Sequence, residues 1–314
     1  MTTTIIAQNV AFIKWSEKKK LNIVVSNKMD AAGFEERAAR MRFCGTFLNM
    51  KVCPDCGKSF ISSANLCRDR LCPTCSWRLS LKRFAEMCQT MQYITADDYQ
   101  KAGFLTLTVK NCKPEDLRHT IEKMSSDWHD LTLSRKFRAK VVGWARSLEI
   151  TYNKRDNTFH PHFHIILLFK ELESSNTTQV FFRKEWNRVA KLDYEAITDY
   201  REIFADENTE GTEEAKIEKA LIETYKYSVK SEELADMPLS SFRALTAGIA
   251  GIRFYAFGGI IKKARQYFKF TDKDNETELD CNREICDCGA LLTDELMKWS
   301  FQDEQYKPIS EYYN

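Results

Sequence analysis

Alternating apolar and polar positions predict three β-strands. Residues 103–111, GFLTLTVKN, alternate between two faces, and residues 141–153, VVGWARSLEITYN, are rich in apolar and β-branched side chains. Residues 159–169, FHPHFHIILLF, combine alternate histidines with an apolar run. The turn-like KRDNT stretch between the last two strands predicts a hairpin.

Apolar positions at helical spacing follow further along the chain. Residues 216–230, KIEKALIETYKYSVK, repeat apolar side chains with the period of a helix. On that helix Glu223 and Tyr227 lie four residues apart on one face, and Lys230 follows one turn later. Tyr225 points elsewhere. Taken alone, the pattern favours ordinary packing tyrosines and solubilising Glu–Lys neighbours.

Three of the five histidines lie at alternate positions of the last strand. His160, His162 and His164 therefore share one face, and Phe163 lies on the other. Neutral imidazole nitrogens are common metal ligands. A half-buried strand that carries histidine by chance would have to satisfy three buried polar rings, which is costly. The pattern favours a metal site.

Glu149 on the preceding strand is the candidate third ligand. In a hairpin it could lie beside His162 and His164 and complete a set of two histidines and one carboxylate. Such a set leaves coordination positions open for substrate oxygens. The competing interpretation is a surface carboxylate opposite a lysine or arginine on a paired strand.

A cysteine-rich segment precedes the first strand. Residues 53–75, CPDCGKSFISSANLCRDRLCPTC, contain two Cys-x-x-Cys pairs at zinc-ribbon spacing. The predicted zinc ligands are Cys53, Cys56, Cys72 and Cys75, with Cys67 as a substitute for one of them. Four thiolates leave no open position, so this site is expected to be structural. Cys44, Cys88 and Cys112 are predicted to be buried thiols. A second group, Cys281, Cys286 and Cys288, lacks a clean pair of knuckles, and zinc binding there is left open.

Composition and charge narrow the class of protein. With 314 residues, 43% hydrophobic and 29% charged, the chain has the composition of a soluble folded protein. The N-terminus shows no signal pattern, which predicts a cytoplasmic protein, and the odd number of cysteines argues against a disulfide framework. The apolar stretch 245–261 is interrupted by Arg253 and is too short for a membrane span.

The net charge of +2 hides an asymmetry. Residues 271–314 carry 12 acidic and 4 basic side chains, so the preceding 270 residues have a net charge of +10. A basic body suits an anionic partner. The acidic end is predicted either to be a solvated tail or to compete for the same surface.

Basic residues near the cysteine pairs are candidate DNA contacts. Arg68, Arg70 and Arg78 lie close to Trp77 in sequence, and a basic zinc module with an aromatic residue often grips phosphates. A solvated basic face is the alternative. The Gly-Lys-Ser run at 57–59 is not a phosphate-binding loop, because position 52 is Val where that motif needs glycine. Any unwinding therefore has to come from another protein.

Together these segments resemble the replication initiators of small bacterial rolling-circle plasmids, in the HUH endonuclease superfamily. FLTLTVKN, HPHFHIILL and ETYKYSVK match the three motifs in order and spacing, and RLCPTCSWR matches a cysteine-rich segment ahead of them. The resemblance covers about residues 40–270. It implies an α+β fold with a central antiparallel sheet flanked by helices. The histidines lie on the central strand, the tyrosine lies on a helix packed across the sheet, and a zinc-ribbon-like four-cysteine module precedes them.

The resemblance also implies a role for each site residue. His162 and His164 are metal ligands, joined by Glu149, and Tyr227 is the nucleophile that forms a 5′-phosphotyrosyl DNA and frees a 3′-hydroxyl. Glu223 activates a second cleavage that ends the cycle. Lys230 is expected to help activate the tyrosine, and Lys226 is expected to contact DNA. His160 is expected beside the metal ligands or on a phosphate.

The implied cofactors are Mn²⁺ or Mg²⁺ at the nuclease site and Zn²⁺ at the four-cysteine module. The implied partners are plasmid double-strand origin DNA, single-stranded DNA, a host helicase and a DNA polymerase. A homodimer is left open, and no membrane is involved. The predicted domains are residues 1–100 with the module at about 44–83, a nuclease domain at 101–270, and an acidic tail at 271–314.

Three other classes of protein compete with this interpretation. A transposase or mobilisation relaxase of the same superfamily would share the motifs. A non-catalytic zinc-dependent DNA-binding regulator would have no use for the set of two histidines, Glu223 and Tyr227. A metal-dependent oxygenase would use two histidines and a carboxylate, but it leaves the cysteines, the basic body and the tyrosine motif without a role.

Overall fold

The structure is a computed structural model that describes residues 2–95, 97–171, 174–203, 221, 224, 231–270 and 283–312. The chain divides into two compact units. The first unit is Met1–Leu79 with Asn275–Asn314, and the second is Ser80–Asp274. Each unit contains its own antiparallel sheet.

The elements follow one another in mixed order. The described helices are α1 (Thr2–Ala31), α2 (Glu35–Phe43), α3 (Pro73–Tyr93), α4 (Leu117–Leu133), α5 (Arg135–Lys140), α6 (Ser175–Ala190), α7 (Ser231–Asp236), α8 (Leu239–Gly248) and α9 (Gly259–Tyr267). The described strands are β1 (Phe47–Val52), β2 (Ser59–Ala64), β3 (Lys101–Thr108), β4 (Val141–Asn153), β5 (Thr158–Phe169), β6 (Thr198–Glu202), β7 (Tyr255–Gly258), β8 (Thr293–Ser300) and β9 (Gln305–Pro308).

Five described strands form the sheet of the second unit, in the order β6-β3-β5-β4-β7. All neighbouring pairs are antiparallel, and β4 and β5 form the predicted long hairpin. The predicted α+β class, with antiparallel sheets flanked by helices, is confirmed. β5, which carries the histidines, is the middle strand of this sheet.

The apolar run after the histidines explains the central position of β5. Every residue from Phe163 to Phe169 is buried. A strand with neighbours on both sides and layers on both faces needs side chains that tolerate burial at every position, and FHIILLF is mostly apolar. At an edge, the same run would expose apolar surface to water.

Helices α4 and α6 pack on the sheet face that carries Phe163. Their buried positions recur at helical spacing and include Ile121, Met124 and Trp128 on α4 and Phe182 and Trp186 on α6. The ring of Trp186 lies 6.5 Å from that of Phe163, and its Nε1 donates a hydrogen bond to the carbonyl oxygen of Thr108 at 3.0 Å. This apolar layer supports the sheet from one side and leaves the histidines to the other.

Four described strands form the sheet of the first unit, in the order β2-β1-β8-β9. β8 pairs with β1 from Phe47 opposite Lys298 to Val52 opposite Thr293. The C-terminal segment therefore supplies strands to a sheet that begins near the N-terminus. This differs from the predicted division, in which residues 271–314 form a separate acidic tail and the N-terminal region extends to residue 100.

Acidic side chains of the C-terminal segment pair with lysines of the same unit. Lys51 Nζ lies 3.1 Å from both Glu284 Oε2 and Asp294 Oδ2, and Lys58 Nζ lies 3.3 Å from Asp287 Oδ2. Lys51 is only 9% exposed, so its charge needs a partner to offset the loss of water. Part of the charge asymmetry along the sequence is thus cancelled inside the first unit.

Among the described helices, none combines the length and the apolar character needed to cross a membrane.

Glycine is required where β7 runs into α9. Gly259 has a φ of +59°, and a Cβ at this position would collide with the carbonyl oxygen of Val142. Gly251 also has a positive φ, +72°, but a Cβ there would meet no atom within 4 Å. A side chain would be strained at both positions, but only at Gly259 would it also collide with the backbone.

We expect Gly259→Ala to lower the free energy of unfolding by about 3 kcal/mol or more, because left-handed strain of about 1–2 kcal/mol adds to a backbone collision. Gly251→Ala is the matched control and should cost only the strain, about 1–2 kcal/mol. Urea unfolding followed by circular dichroism measures both losses. Equal losses would contradict the collision with Val142.

Candidate metal centre and cysteine clusters

The register of the β4–β5 hairpin brings the candidate ligands together. Glu149 on β4 is the direct cross-strand partner of His162, and Ser147 is the partner of His164. Because side chains of directly opposed residues project to the same face, all four lie on the sheet face opposite Phe163. The sequence predicted Glu149, His162 and His164 as one group, and the structure brings these three together.

Both imidazole rings meet the Glu149 carboxylate at one oxygen. His162 Nε2 lies 3.0 Å and His164 Nε2 lies 2.7 Å from Glu149 Oε2. Glu149 and His164 are almost fully buried, at 6% and 7% exposure, and His162 is half-buried. The three donor atoms therefore converge on a small region at the protein surface, with limited access to water.

Contacts at the other ring nitrogens hold the imidazoles in this orientation. His162 Nδ1 lies 3.2 Å from the carbonyl oxygen of His160, and His164 Nδ1 lies 3.3 Å from Thr106 Oγ1. The ring of His164 also stacks on Phe104, with centroids 5.4 Å apart. Metal-binding histidines usually have such a partner, which fixes the ring and the nitrogen left to coordinate. His160 thus contributes its backbone to the group, next to the predicted ligands.

The carboxylate is held in its charged form. Burial by itself would raise the pKa of Glu149, but the hydrogen bonds and electrostatic attraction between its carboxylate and the rings of His162 and His164 outweigh it and bring the pKa well below its usual range. A carboxylate that is ionised at neutral pH can coordinate a cation without first losing a proton.

This donor set fits a divalent metal ion. The three ligand atoms all lie within 4.8 Å of one another, and no lysine or arginine is among the hydrogen-bond partners described for Glu149. Two imidazole nitrogens and one carboxylate suit Mn²⁺ and related ions and leave further positions open for substrate oxygens.

Most of the tyrosine motif lies outside the residues that the structure describes. The predicted site residues concerned are Glu223, Lys226, Tyr227 and Lys230, and Cys281 also lies outside the described residues. Thr224, which is described, is buried, and its carbonyl oxygen accepts a hydrogen bond from Ser147 Oγ at 2.5 Å. Since Ser147 is the cross-strand partner of His164, Thr224 lies on the metal-binding face of the sheet.

The cysteines form two separate groups among the described residues, which corrects the predicted single site. Cys53 and Cys56 lie with Cys286 and Cys288, whereas Cys72 and Cys75 lie with Cys44 and Cys67. The predicted set of Cys53, Cys56, Cys72 and Cys75 is therefore not brought together. The two pairs are close in sequence, but strands β1 and β2 carry the first pair away from the start of α3, where Cys75 lies. Cys67 is a member of its group and replaces none of the others.

The predicted DNA-binding arginines have different surroundings. Arg68 is exposed, and its backbone N–H donates to Cys75 Sγ at 3.2 Å. Arg70 is partly exposed. Arg78 lies against two indole rings, 5.9 Å from the centroid of Trp15 and 5.7 Å from that of Trp77, and burial lowers its pKa. Part of its positive charge is therefore directed at aromatic faces of the first unit.

The sequence prediction missed Cys44, Thr106 and Ser147 and left Cys286 and Cys288 open. Cys44 has no neighbouring cysteine that would mark it. Cys288 does carry a signal, because it is followed by Gly289 just as Cys56 is followed by Gly57, and both glycines have positive φ. Thr106 and Ser147 have no distinctive motif, and only strand pairing shows that they face the histidines.

Comparison with known proteins now identifies the family. A family model described as replication protein matches residues 58–307, which is most of the chain. The chain belongs to the Rep_1 family of replication proteins. The resemblance noted from the motifs is confirmed at this level. The match spans both units and includes Glu149, His162 and His164. It also includes five of the eight clustered cysteines, since only Cys44, Cys53 and Cys56 precede residue 58.

Curated members of the family are similar over most of their length. The chain is 29% identical over 307 residues to a "Protein rep" of Lentilactobacillus hilgardii, covering 93% of this chain and 94% of that protein. It is 30% identical over 283 residues to a "Protein rep" of Bacillus amyloliquefaciens, covering 82% of each. No solved structure matches the chain.

We expect this family member to bind Mn²⁺ at Glu149, and Glu149→Gln to weaken that binding by at least about 10-fold, because the amide removes the negative charge of the ligand. The carboxylate and amide have nearly the same shape, so the fold should be retained. Titration of the purified protein with Mn²⁺, followed by electron paramagnetic resonance, measures the affinity. The matched control is Glu122→Gln, a half-exposed carboxylate on α4. Equal affinities in the two variants would argue against a metal site at Glu149.

Proposed function

We propose that this protein is a rolling-circle replication initiator and that its second unit is an HUH endonuclease domain, which nicks single-stranded DNA at a plasmid origin. The observation that carries the proposal is the convergence of Glu149, His162 and His164 on one face of the sheet, in a chain that belongs to a family of replication proteins. Its substrate would be double-strand origin DNA that exposes a single-stranded segment.

The three residues of the metal centre have distinct tasks in this proposal. His162 and His164 would hold Mn²⁺ or Mg²⁺ through Nε2, and Glu149 would complete the set with its ionised carboxylate. A divalent ion bound there polarises the scissile phosphate and offsets the negative charge that builds up during attack. Thr106 and the His160 carbonyl keep the two rings aimed at the same point.

Tyr227 is the proposed nucleophile. Two described residues that flank it in sequence contact β4: Thr224 at Ser147, and Glu233, whose Oε2 accepts a hydrogen bond from the Tyr152 backbone N–H at 3.0 Å. Ser147 and Tyr152 lie on either side of Glu149 along β4. These two contacts bring Thr224 and Glu233 to the strand that carries the metal ligand Glu149, which supports Tyr227 as the nucleophile.

The proposed cleavage exchanges one phosphodiester bond for another. The Tyr227 phenol loses its proton, with Lys230 as the nearby cation that favours the phenolate, and its oxygen attacks phosphorus. The bond from phosphorus to the 3′ oxygen breaks, and that oxygen takes up a proton. The products are DNA joined through its 5′ phosphate to the tyrosine and a free 3′-hydroxyl. A DNA polymerase extends the hydroxyl, and a host helicase separates the strands.

Glu223 would end the cycle. A carboxylate four residues before the tyrosine on a helix lies on the same face and can accept a proton from an attacking water or hydroxyl. That second attack cleaves the newly made origin, and the stored phosphotyrosyl bond allows the displaced strand to be rejoined. A single tyrosine with Glu223 fits this better than two tyrosines, because a spacing of two residues would put Tyr225 and Tyr227 on different faces of the helix that the sequence predicts.

Basic residues of both units would hold the DNA. We assign Arg68 and Arg70 to phosphate contacts, Lys226 to the DNA beside the tyrosine, and Arg78 to a mixed contact next to Trp15 and Trp77. Phosphate contacts supply affinity that does not depend on sequence, and aromatic rings stack on unpaired bases.

We expect a covalent protein–DNA band when the protein is incubated with single-stranded origin DNA and Mn²⁺ and separated on a denaturing gel. Tyr227→Phe should abolish the band because it lacks the attacking oxygen, and Tyr225→Phe is the matched control that should retain it. A band that persists in Tyr227→Phe and disappears in Tyr225→Phe would move the nucleophile. Absence of a band from every protein, with origin binding intact, would favour a non-catalytic DNA-binding regulator.

Glu223→Gln should separate the first cleavage from the second. We expect the variant to form the covalent band at a rate close to that of the unaltered protein. It should then accumulate the band, because without the second cleavage no new 3′-hydroxyl is freed to attack the phosphotyrosyl bond. The second cleavage should be slower by about 10²–10⁴-fold, the usual contribution of a positioned base. Quantifying the band and the second cut over time on DNA that carries two copies of the origin measures this. A second cleavage at the normal rate would exclude Glu223 as the base.

A further inference from the structure

Each of the two cysteine groups has the dimensions of a metal-bound tetrahedron. In the group of Cys44, Cys67, Cys72 and Cys75, three of the sulfur separations lie between 3.5 and 3.7 Å, and all ligand atoms lie within 4.8 Å of one another. In the group of Cys53, Cys56, Cys286 and Cys288, the sulfurs of Cys53 and Cys288 and those of Cys56 and Cys286 lie 3.5 Å apart. Four sulfurs at about 2.3 Å from a zinc ion would lie about 3.8 Å apart, whereas a disulfide needs about 2.05 Å. None of the ten described cysteines is part of a disulfide.

Backbone N–H groups point at two sulfurs of the first group. The N–H of Cys67 donates to Cys44 Sγ at 3.4 Å, and the N–H of Arg68 donates to Cys75 Sγ at 3.2 Å. Hydrogen bonds of this kind orient ligand atoms around a bound metal ion. Several thiolates within 4 Å of each other repel unless a cation lies between them.

The group that includes Cys286 has very little apolar material around it. Cys53, Cys286 and Leu292 are its buried residues, with Phe60 and Ala290 partly buried against them. Such a small core cannot offset the loss of chain entropy on folding, and small modules of this kind are usually held by a metal. The observed compactness of this part of the first unit therefore calls for a bound ion.

The two halves of this group are built alike. The backbone N–H of Gly57 donates to the carbonyl oxygen of Cys53 at 3.0 Å, and that of Gly289 donates to the carbonyl oxygen of Cys286 at 2.9 Å. Both glycines have a positive φ, +70° and +92°, which lets the chain turn back directly after the second cysteine. Each half is thus a knuckle that presents two sulfurs on one side of a tight turn.

We propose that the first unit holds two structural zinc ions, each bound by four thiolates, and that the ion at Cys53, Cys56, Cys286 and Cys288 fastens the C-terminal strands to β1. The knuckles of this second site are 230 or more positions apart in sequence. They lie at the ends of two paired elements, since Cys53 directly follows β1 and Cys288 precedes β8. This role does not depend on DNA cleavage.

Zinc content of single-cysteine variants tests the proposal. The full chain, carrying Glu149→Gln so that the metal centre of the sheet does not contribute, is purified with zinc and analysed by mass spectrometry of the metal. We expect about two ions per chain, falling to about one in Cys288→Ser and to about one in Cys72→Ser. Cys288→His should restore the second ion because imidazole also binds zinc, and Cys88→Ser, outside both groups, should keep two.

Two results would overturn the proposal. Unchanged zinc content in Cys288→Ser would show that Cys288 is not a ligand, and loss of both ions in that variant and in Cys288→His would refute two independent sites.

Hydrogen exchange gives a second measurement of the fastening role. Amides of β8 should exchange faster in Cys288→Ser than in Cys288→His, and equal protection in the two would refute a role for the ion in holding β8.

Discussion

The pairing register of β4 and β5 is the constraint on which the metal centre depends. It places Glu149 opposite His162 and Ser147 opposite His164. Because side chains alternate between the two faces, a shift of one residue would move Glu149 to the face packed by α4 and α6. The four-residue connection between the strands opposes such a shift: the Asn153 side chain accepts hydrogen bonds from the backbone N–H groups of Arg155 and Asp156.

The central strand also contains a proline, and the end of β3 explains how the sheet accommodates it. The N–H of Phe159 points towards β3 and donates to Cys112, so the nitrogen of Pro161, two residues later, points the same way. β3 ends at Thr108, opposite His162, and leaves no ladder partner for Pro161 to satisfy. Beyond Thr108, the backbone N–H of Lys110 instead donates to the Tyr194 hydroxyl. β5 thus has a neighbouring strand on both edges at His162 and His164, and only β4 as a neighbour at Pro161.

In the first unit, several kinds of contact between distant parts of the chain hold the C-terminal segment to the N-terminal strands. β8 pairs with β1, Lys51 lies between Glu284 and Asp294, and the C-terminal cysteines join the N-terminal knuckle. A long loop must close before any of these contacts forms, and the entropy lost in closing it grows only slowly with loop length. Ion pairs, strand pairing and thiolate groups that act on the same two segments can therefore offset it together.

The sequence by itself determined the features that follow local rules: the β4–β5 hairpin, the face shared by the histidines, and Glu149 as their neighbour. Alternation with a period of two and a short turn decide these within about thirty residues. Only the tertiary structure decided which cysteines meet, that Thr106 and Ser147 border the histidines, and that the acidic end completes a sheet. The physical reason is that cysteines of one group and paired strands must be close in space, whereas they can be far apart along the sequence. The spacing of Cys53, Cys56, Cys72 and Cys75 suggested one site, but four other cysteines come closer to the two pairs than the pairs come to each other.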